Sequence, residues 1–247
     1  MIDRADIDRL AGWIASARRI VGFSGAGIST ESGVPDFRSP GSPWLRNRPV
    51  PFDAFMASPA MRAEAWRRKF AMDDLYAGAR PSAGHHFFAR LVASGAMTCI
   101  VTQNIDGLHQ ASGVPPGRIV ELHGNGTYAR CLSCGARKEL AWVRAAFEAS
   151  GVPPDCDECG GIVKSATVSF GQPLPAEALE RAKDASLAAD LFLVVGSSLV
   201  VYPAAALPVL ARRAGARLVI VNREATELDA LADLVIRADI GDVVSAL

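Results

Sequence analysis

Four of the five cysteines form two Cys-x2-Cys pairs, Cys131 with Cys134 and Cys156 with Cys159, with 21 residues between the pairs. Two thiolate pairs at this spacing can close a tetrahedral site around one zinc ion. With all four positions taken by sulfur, no coordination site is left for water, so the expected metal supports folding rather than catalysis. Two disulfides of a secreted domain, or a thioredoxin-like redox pair, are the competing readings of the same cysteines. Cys99 lies in the apolar run Met97 to Val101 and reads as a buried strand residue without a chemical role.

A second chemical feature is the glycine turn Gly22-Phe-Ser-Gly25-Ala-Gly27-Ile-Ser-Thr30. Glycines let a ligand or another backbone approach closely, and a helix start after them offers free N–H groups to a phosphate. The turn departs from Gly-x-Gly-x-x-Gly at Thr30, and no acidic residue stands about twenty positions on at the end of a second strand. It lacks the Gly-Lys-Ser/Thr of a Walker loop. An ordinary tight turn therefore competes with a phosphate cradle.

The chain has four histidines. An imidazole titrates near neutral pH and can take up and return a proton, a transfer typically worth about 10² to 10⁴-fold in rate. Taken singly, a histidine is more often structural. His123 stands in Glu121-Leu-His-Gly124, eight residues before the first cysteine. His109 reads as structural, while His85 and His86 fall in a helix beginning near Ser82, where they pack or cap.

The elements that must position these groups follow from hydrophobic periodicity. Ile7, Leu10, Ala11 and Ile14 recur at helical spacing before the apolar run Arg19 to Phe23. The alternation returns with a Ser82-capped helix before Met97 to Val101, with Pro175 to Ala189 before Leu191 to Val195, and with Ala204 to Arg213 before Leu218 to Val221. Helices alternating with fully apolar strands predict a parallel sheet covered on both faces. Two stretches break the rhythm. Residues 37–83 are rich in proline and predict a loop leading into a small helical insertion; residues 124–165 hold the cysteine quartet and predict a second insertion.

Composition bounds the rest. The 247 residues are 50% hydrophobic and 21% charged, ordinary for a globular chain that buries roughly 70–75% of its unfolded surface. Lysine plus arginine, 26, balances aspartate plus glutamate, 26, so there is no basic field to favour nucleic acid or an anionic membrane. The charged start MIDRADIDRL predicts no export sequence and hence a cytoplasmic protein. Leu191 to Ala211 carries no charge across 21 residues, but Gly196, Ser197, Ser198, Pro203 and Pro208 punctuate it as strand, loop and helix start rather than a membrane span.

Taken in order, Gly25-Ala-Gly-Ile-Ser-Thr-Glu-Ser-Gly-Val-Pro-Asp-Phe-Arg38, Thr102-Gln-Asn-Ile-Asp-Gly-Leu-His109, Glu121-Leu-His-Gly124, the cysteine quartet and Gly196-Ser-Ser198 closely resemble the sirtuin family of NAD-dependent protein deacylases, in its bacterial form. The resemblance covers nearly the whole chain. It implies an α/β fold, a Rossmann-like parallel sheet with a small domain made of a zinc-ribbon module and a helical module. The large domain would comprise residues 1–36, 84–122 and 167–247, with a cofactor loop and helical insertion at 37–83 and a zinc-binding insertion at 123–166.

By the same resemblance, NAD would meet Gly25, Ala26, Gly27, Ile28 and Thr30, the mobile loop residues Asp36, Phe37 and Arg38, and Gly196, Ser197 and Ser198. Asn222 and Ile240 would lie at the adenosine end. Gln103, Asn104, Ile105 and Asp106 would form the nicotinamide pocket, with Asp106 anchoring the carboxamide. The acyl oxygen of a substrate lysine would attack the ribose C1′, and His123, with Asn104 and Asp106, would carry the catalysis. The peptide would add as a strand between Val168-Ser-Phe170-Gly171 and Leu199-Val200-Val201, and Phe37, Ile105, Val168 and Phe170 would wall the acyl tunnel.

The implied activity is NAD-dependent protein lysine deacetylation with one structural zinc, release of nicotinamide and formation of O-acetyl-ADP-ribose. Gln172 departs from the family, where glutamate commonly follows Phe-Gly. The Tyr-x-x-Arg pair of succinyl- and malonyl-selective members is not evident around Glu64 to Lys69, where Arg67, Arg68 and Lys69 read as a solvated basic face. Neutral acyl groups, acetyl first, are therefore expected. Protein mono-ADP-ribosylation, longer-chain deacylation and a silent NAD- and zinc-binding module are the alternatives.

Overall fold

The computed structural model describes residues 2–247. Its strands are β1 (Ile20–Ser24), β2 (Met97–Thr102), β3 (Ile119–Glu121), β4 (Gly124–Cys131), β5 (Arg137–Glu139), β6 (Val163–Thr167), β7 (Leu191–Val195), β8 (Arg217–Val221) and β9 (Leu234–Ile236). The helices are α1 (Arg4–Ser16), α2 (Phe52–Ala57), α3 (Pro59–Leu75), α4 (Ala83–Ala93), α5 (Leu108–Ala111), α6 (Leu140–Ser150), α7 (Ala176–Ala188), α8 (Ala206–Arg213) and α9 (Ile240–Ala246).

Six strands form one sheet in the order β3-β2-β1-β7-β8-β9, every neighbouring pair parallel. The apolar runs are the reason. In β7, Leu191, Leu193 and Val195 join one core, and Phe192 and Val194 join the other, because successive side chains point to opposite faces. The first core receives Ile7 and Leu10 of α1, Phe87 and Phe88 of α4, and Ile240 and Val243 of α9. The second receives Ala182 of α7 and Leu207 and Ala211 of α8. Both faces are thus covered, as a parallel sheet requires.

The remaining strands make a small antiparallel sheet, β5-β4-β6. Its core joins Val143 and Phe147 of α6 to Trp66 and Phe70 of α3, with Cys131 and Cys156 among them. The Phe70 and Phe147 rings lie 6.1 Å apart, and Arg144 stacks on Phe70 while pairing with Asp74 at 2.8 Å. The helical segment and the cysteine module therefore share one packed interior. Among the described residues no helix is long and apolar enough to cross a membrane.

Candidate active site and metal centre

The strand register builds a floor for the site. Ser24 at the end of β1 pairs with Thr102 of β2 on one side and with Val195 of β7 on the other, and Val195 pairs with Val221 of β8. Gly25, Gln103, Gly196 and Asn222 each follow directly, and all four line one cleft of about 700 Å³. This is the carboxyl edge of the sheet where strand order reverses, the place at which open α/β sheets bind ligands.

Glycine is required at this edge. Gly196 has φ +66°, and a Cβ there would lie 2.4 Å from the backbone nitrogen of Ile28; one on Gly27 would lie 2.7 Å from the Gly196 Cα. The Gly27 N–H donates to the Gly196 carbonyl at 2.8 Å. The turn after Gly25 is a short 3₁₀ segment, Ala26–Ser32. Ala26 and Thr30 line the cleft, whereas Ile28 is 1% exposed and packs beneath the turn, against Gly84.

Asp36, Phe37 and Arg38 form a wall facing this floor. The Asp36 carboxylate accepts from the backbone N–H of Arg38 at 2.8 Å and of Ser39 at 2.7 Å, and Arg38 donates to the Ser198 hydroxyl at 3.1 Å. Phe37 stacks on Trp44 with centroids 4.6 Å apart. The loop is thereby tied to the Gly196-Ser-Ser198 turn. Leu199, which follows that turn, is a non-glycine residue with φ +56° and is buried in the core, a strained conformation of the kind concentrated at working sites.

His123 lies between β3 and β4 and lines the cleft. Its Nδ1–H donates to the Gln103 carbonyl at 2.9 Å. Since a carbonyl can only accept, the ring is held with its proton on Nδ1, and Nε2 is left with a lone pair. Burial lowers the His123 pKa below the ordinary histidine value, and the bond to Gln103 only partly opposes this. A neutral base at neutral pH results.

Asn104 and Asp106 meet through a residue to which the sequence reading gave no role. The Ser29 hydroxyl donates to Asp106 Oδ2 at 2.7 Å and accepts from Asn104 Nδ2 at 3.1 Å; the same amide reaches the Gly25 carbonyl at 3.1 Å. Asp106 Oδ1 accepts from the Leu108 N–H at 2.9 Å. Burial pushes the Asp106 carboxyl above the usual aspartate range, while these two donors pull it back. Asn104 and Ile105 line the cleft, and Asp106 lies behind them. A hydroxyl inside the glycine turn was the available signal for Ser29. Behind this group, His85 completes a capping box with Ser82, and buried His109 bonds the Ser24 hydroxyl at 2.8 Å.

On the other wall, Val168, Phe170 and Gly171 line the cleft, with Phe170 63% exposed. Neither 168–171 nor 199–201 is a strand here. The Val168 N–H donates to the His123 carbonyl at 2.8 Å. Gln172 accepts from the Ser169 N–H at 3.2 Å, a bond that a glutamate would also make. Val200 is 43% exposed but does not line the cleft, and neither does buried Leu199; of that stretch Val201 lines it. The basic stretch of α3 is not uniformly solvated. Arg67 is, but Arg68 and Lys69 line the cleft, neutralised by Glu64 and Asp73 at 2.6 and 2.5 Å. Cys99 is half-buried rather than enclosed and packs at the margin of the second core.

The four cysteine sulfurs lie within 4.8 Å of one another, with Cys131 to Cys159 at 3.5 Å and Cys134 to Cys156 at 3.8 Å. A tetrahedron with zinc–sulfur bonds of about 2.3 Å has sulfur–sulfur edges of roughly 3.8 Å, so the set fits one structural zinc. Lys138 bridges Asp157 and Glu158 beside the second pair, which ties β5 to that knuckle.

A six-stranded parallel sheet with a carboxyl-edge cleft and a four-cysteine antiparallel module defines a Rossmann-like α/β protein with a zinc-ribbon insertion. The pattern of the Sir2 family matches residues 25–203, and the chain belongs to that family. It is 56% identical over 241 residues to "NAD-dependent protein deacetylase 1" of Bradyrhizobium diazoefficiens, covering 98% of this chain and 94% of the relative. It is also 56% identical over 238 residues to "NAD-dependent protein deacetylase" of Rhodopseudomonas palustris, with 96% and 94% covered. Among solved structures, a Sir2 variant with deacetylated p53 peptide and 3′-O-acetyl ADP ribose superposes with TM-score 0.88 at 35% identity, covering 97% of this chain and 96% of that one. Sir2 with p53 peptide and NAD⁺ gives TM-score 0.85 at 36% identity, covering 97% and 95%.

Proposed function

We propose that this chain is an NAD-dependent protein lysine deacetylase that releases nicotinamide and forms O-acetyl-ADP-ribose. The observation that carries the reading is His123, neutral and fixed by Gln103, in one cleft with the Gly25 turn and Asn104. A protein that only bound a dinucleotide would have no use for a locked base beside that amide. The cleft volume falls in the range of ligand sites, roughly 300–1,000 Å³, and Gly27 and Gly196 let the two turns of its floor pack backbone against backbone, where any Cβ would collide.

When bound, NAD supplies the nicotinamide leaving group and the ADP-ribose that accepts the acyl group. The chain's own residues do the rest. Asp106, oriented by Ser29 and Leu108, anchors the carboxamide with help from Gln103, Asn104 and Ile105. His123 Nε2 would take the proton of a ribose hydroxyl and return one to the departing lysine amine, with one water consumed overall. Asp36, Phe37, Arg38 and the Gly196-Ser-Ser198 turn would flank the cofactor, with Asn222 and Ile240 at the adenosine end.

An acylated protein lysine is the substrate, entering between Val168-Ser-Phe170-Gly171 and Leu199-Val200 with Phe37 and Ile105 along its stem. The proposed division places the NAD-binding domain at 1–36, 84–122 and 167–247, the cofactor loop and helical insertion at 37–83 and the zinc insertion at 123–166, in a cytoplasmic protein. Incubation with NAD and a panel of acyl-lysine peptides, read by peptide mass, tests the reading: acetyl should be removed, and a panel left wholly intact contradicts it.

A further inference from the structure

The sequence after β8 places three polar residues in succession, Asn222, Arg223 and Glu224, at one end of the cleft, and the start of α9 brings Asp239 against them. Arg223 is the only cation lining this end among the described residues, and it is engaged. Its Nε and Nη2 both lie 2.7 Å from Asp239 Oδ1. Glu31 is fixed at the same end by accepting the Gly241 N–H at 2.7 Å. Three carboxylates, Glu31, Glu224 and Asp239, thus line the cleft with this one guanidinium, and Asp239 pairs with it.

We propose that Asp239 determines cofactor specificity by occupying Arg223, so that the adenosine end of the cleft rejects a 2′-phosphate. This rests on the NAD reading above, which sets the adenosine ribose beside Asn222. In Rossmann-type sites an arginine near that ribose accommodates the 2′-phosphate of NADP, whereas an acidic residue selects the free hydroxyl. This chain holds both residues and pairs them. A phosphate monoester carrying nearly two negative charges at neutral pH meets carboxylates and a guanidinium whose charge Asp239 already neutralises, so it gains no net attraction there. The two partners are 72% and 52% exposed, so solvent screens the pair and the discrimination it gives is modest.

The test is calorimetric binding of ADP-ribose and of 2′-phospho-ADP-ribose to the full zinc-loaded chain. The parent should bind the phosphorylated ligand at least about ten-fold more weakly. Asp239→Asn should close that gap by about ten-fold or more, the worth of one charge-assisted hydrogen bond. Arg223→Leu, which leaves Asp239 uncompensated, should widen it, and the double variant should lose the gain of Asp239→Asn. A ratio unchanged in Asp239→Asn, or a gain that survives removal of Arg223, overturns the proposal while leaving the deacetylase reading in place. A parent that binds neither ligand overturns both. Should Asp239→Asn fail to fold, the opposite sign required of Arg223→Leu decides the matter alone.

Discussion

Nδ1 of His123 donates to the backbone carbonyl of Gln103 at 2.9 Å across 20 residues of sequence. The two meet because Thr102 of β2 pairs with Glu121 of β3, so the residues just past each strand converge at one edge of the sheet. A backbone acceptor fixes the tautomer without a titrating partner, so the ring's basicity is set by its burial, partly offset by that bond.

The first expectation follows from that geometry. His123→Ala should lower deacetylation by about 10² to 10⁴-fold while calorimetric affinity for ADP-ribose stays within a few-fold of the parent. Because burial lowers the His123 pKa, the acid limb of kcat should fall below the ordinary histidine value of 6.5. Equal turnover in variant and parent, or an acid limb above that value, would count against the assignment.

Asp106→Asn should weaken nicotinamide inhibition and the exchange of labelled nicotinamide into NAD. Ser29→Ala should act in the same direction, since that hydroxyl touches both Asp106 and Asn104. A loss of about ten-fold in exchange is expected for one charged hydrogen bond. Unchanged exchange in both variants removes Asp106 from the role.

The cysteine set should hold one zinc per chain by elemental analysis. Cys131→Ser removes a ligand from the interior shared with Trp66 and Phe147, so folded yield and thermal stability should fall with the metal content. A variant that is free of zinc and as stable as the parent contradicts a structural site.

Two buried histidines give a pH signature. Burial pushes His85 down to about 4 and His109 to about 3, against 6.5 for the free side chain. The unfolded chain therefore binds two protons that the folded chain refuses, and stability is full above about 6.5 and declines as pH falls through the folded values. Urea unfolding between pH 6 and 4, windows chosen from about these values, should show the slope shrink by one proton in His109→Gln. An identical slope would show that His109 titrates alike in both states.

Much of this was legible because each signal was local and repeated. The apolar runs at Ile20, Met97, Leu191 and Leu218 could only be buried strands, and the helices between them left few topologies. The cysteine spacing carried its own geometry. Other features depend on tertiary placement. Strand β9 has three residues and is recruited by pairing Val219 with Leu234 rather than by its own pattern. Ser29 becomes a hub only once β2 brings Asn104 and Asp106 beside the glycine turn. Lys69 looks like a surface cation by composition, but its place on α3 turns it to the cleft, where Asp73 neutralises it.

The most direct measurement is product stoichiometry after incubation of the parent chain with NAD and an acetyl-lysine peptide. Quantified by mass spectrometry, nicotinamide, free-lysine peptide and O-acetyl-ADP-ribose should accumulate in equal amounts. Nicotinamide accompanied by ADP-ribosylated protein and no deacetylated peptide, or no nicotinamide at all, would contradict the account.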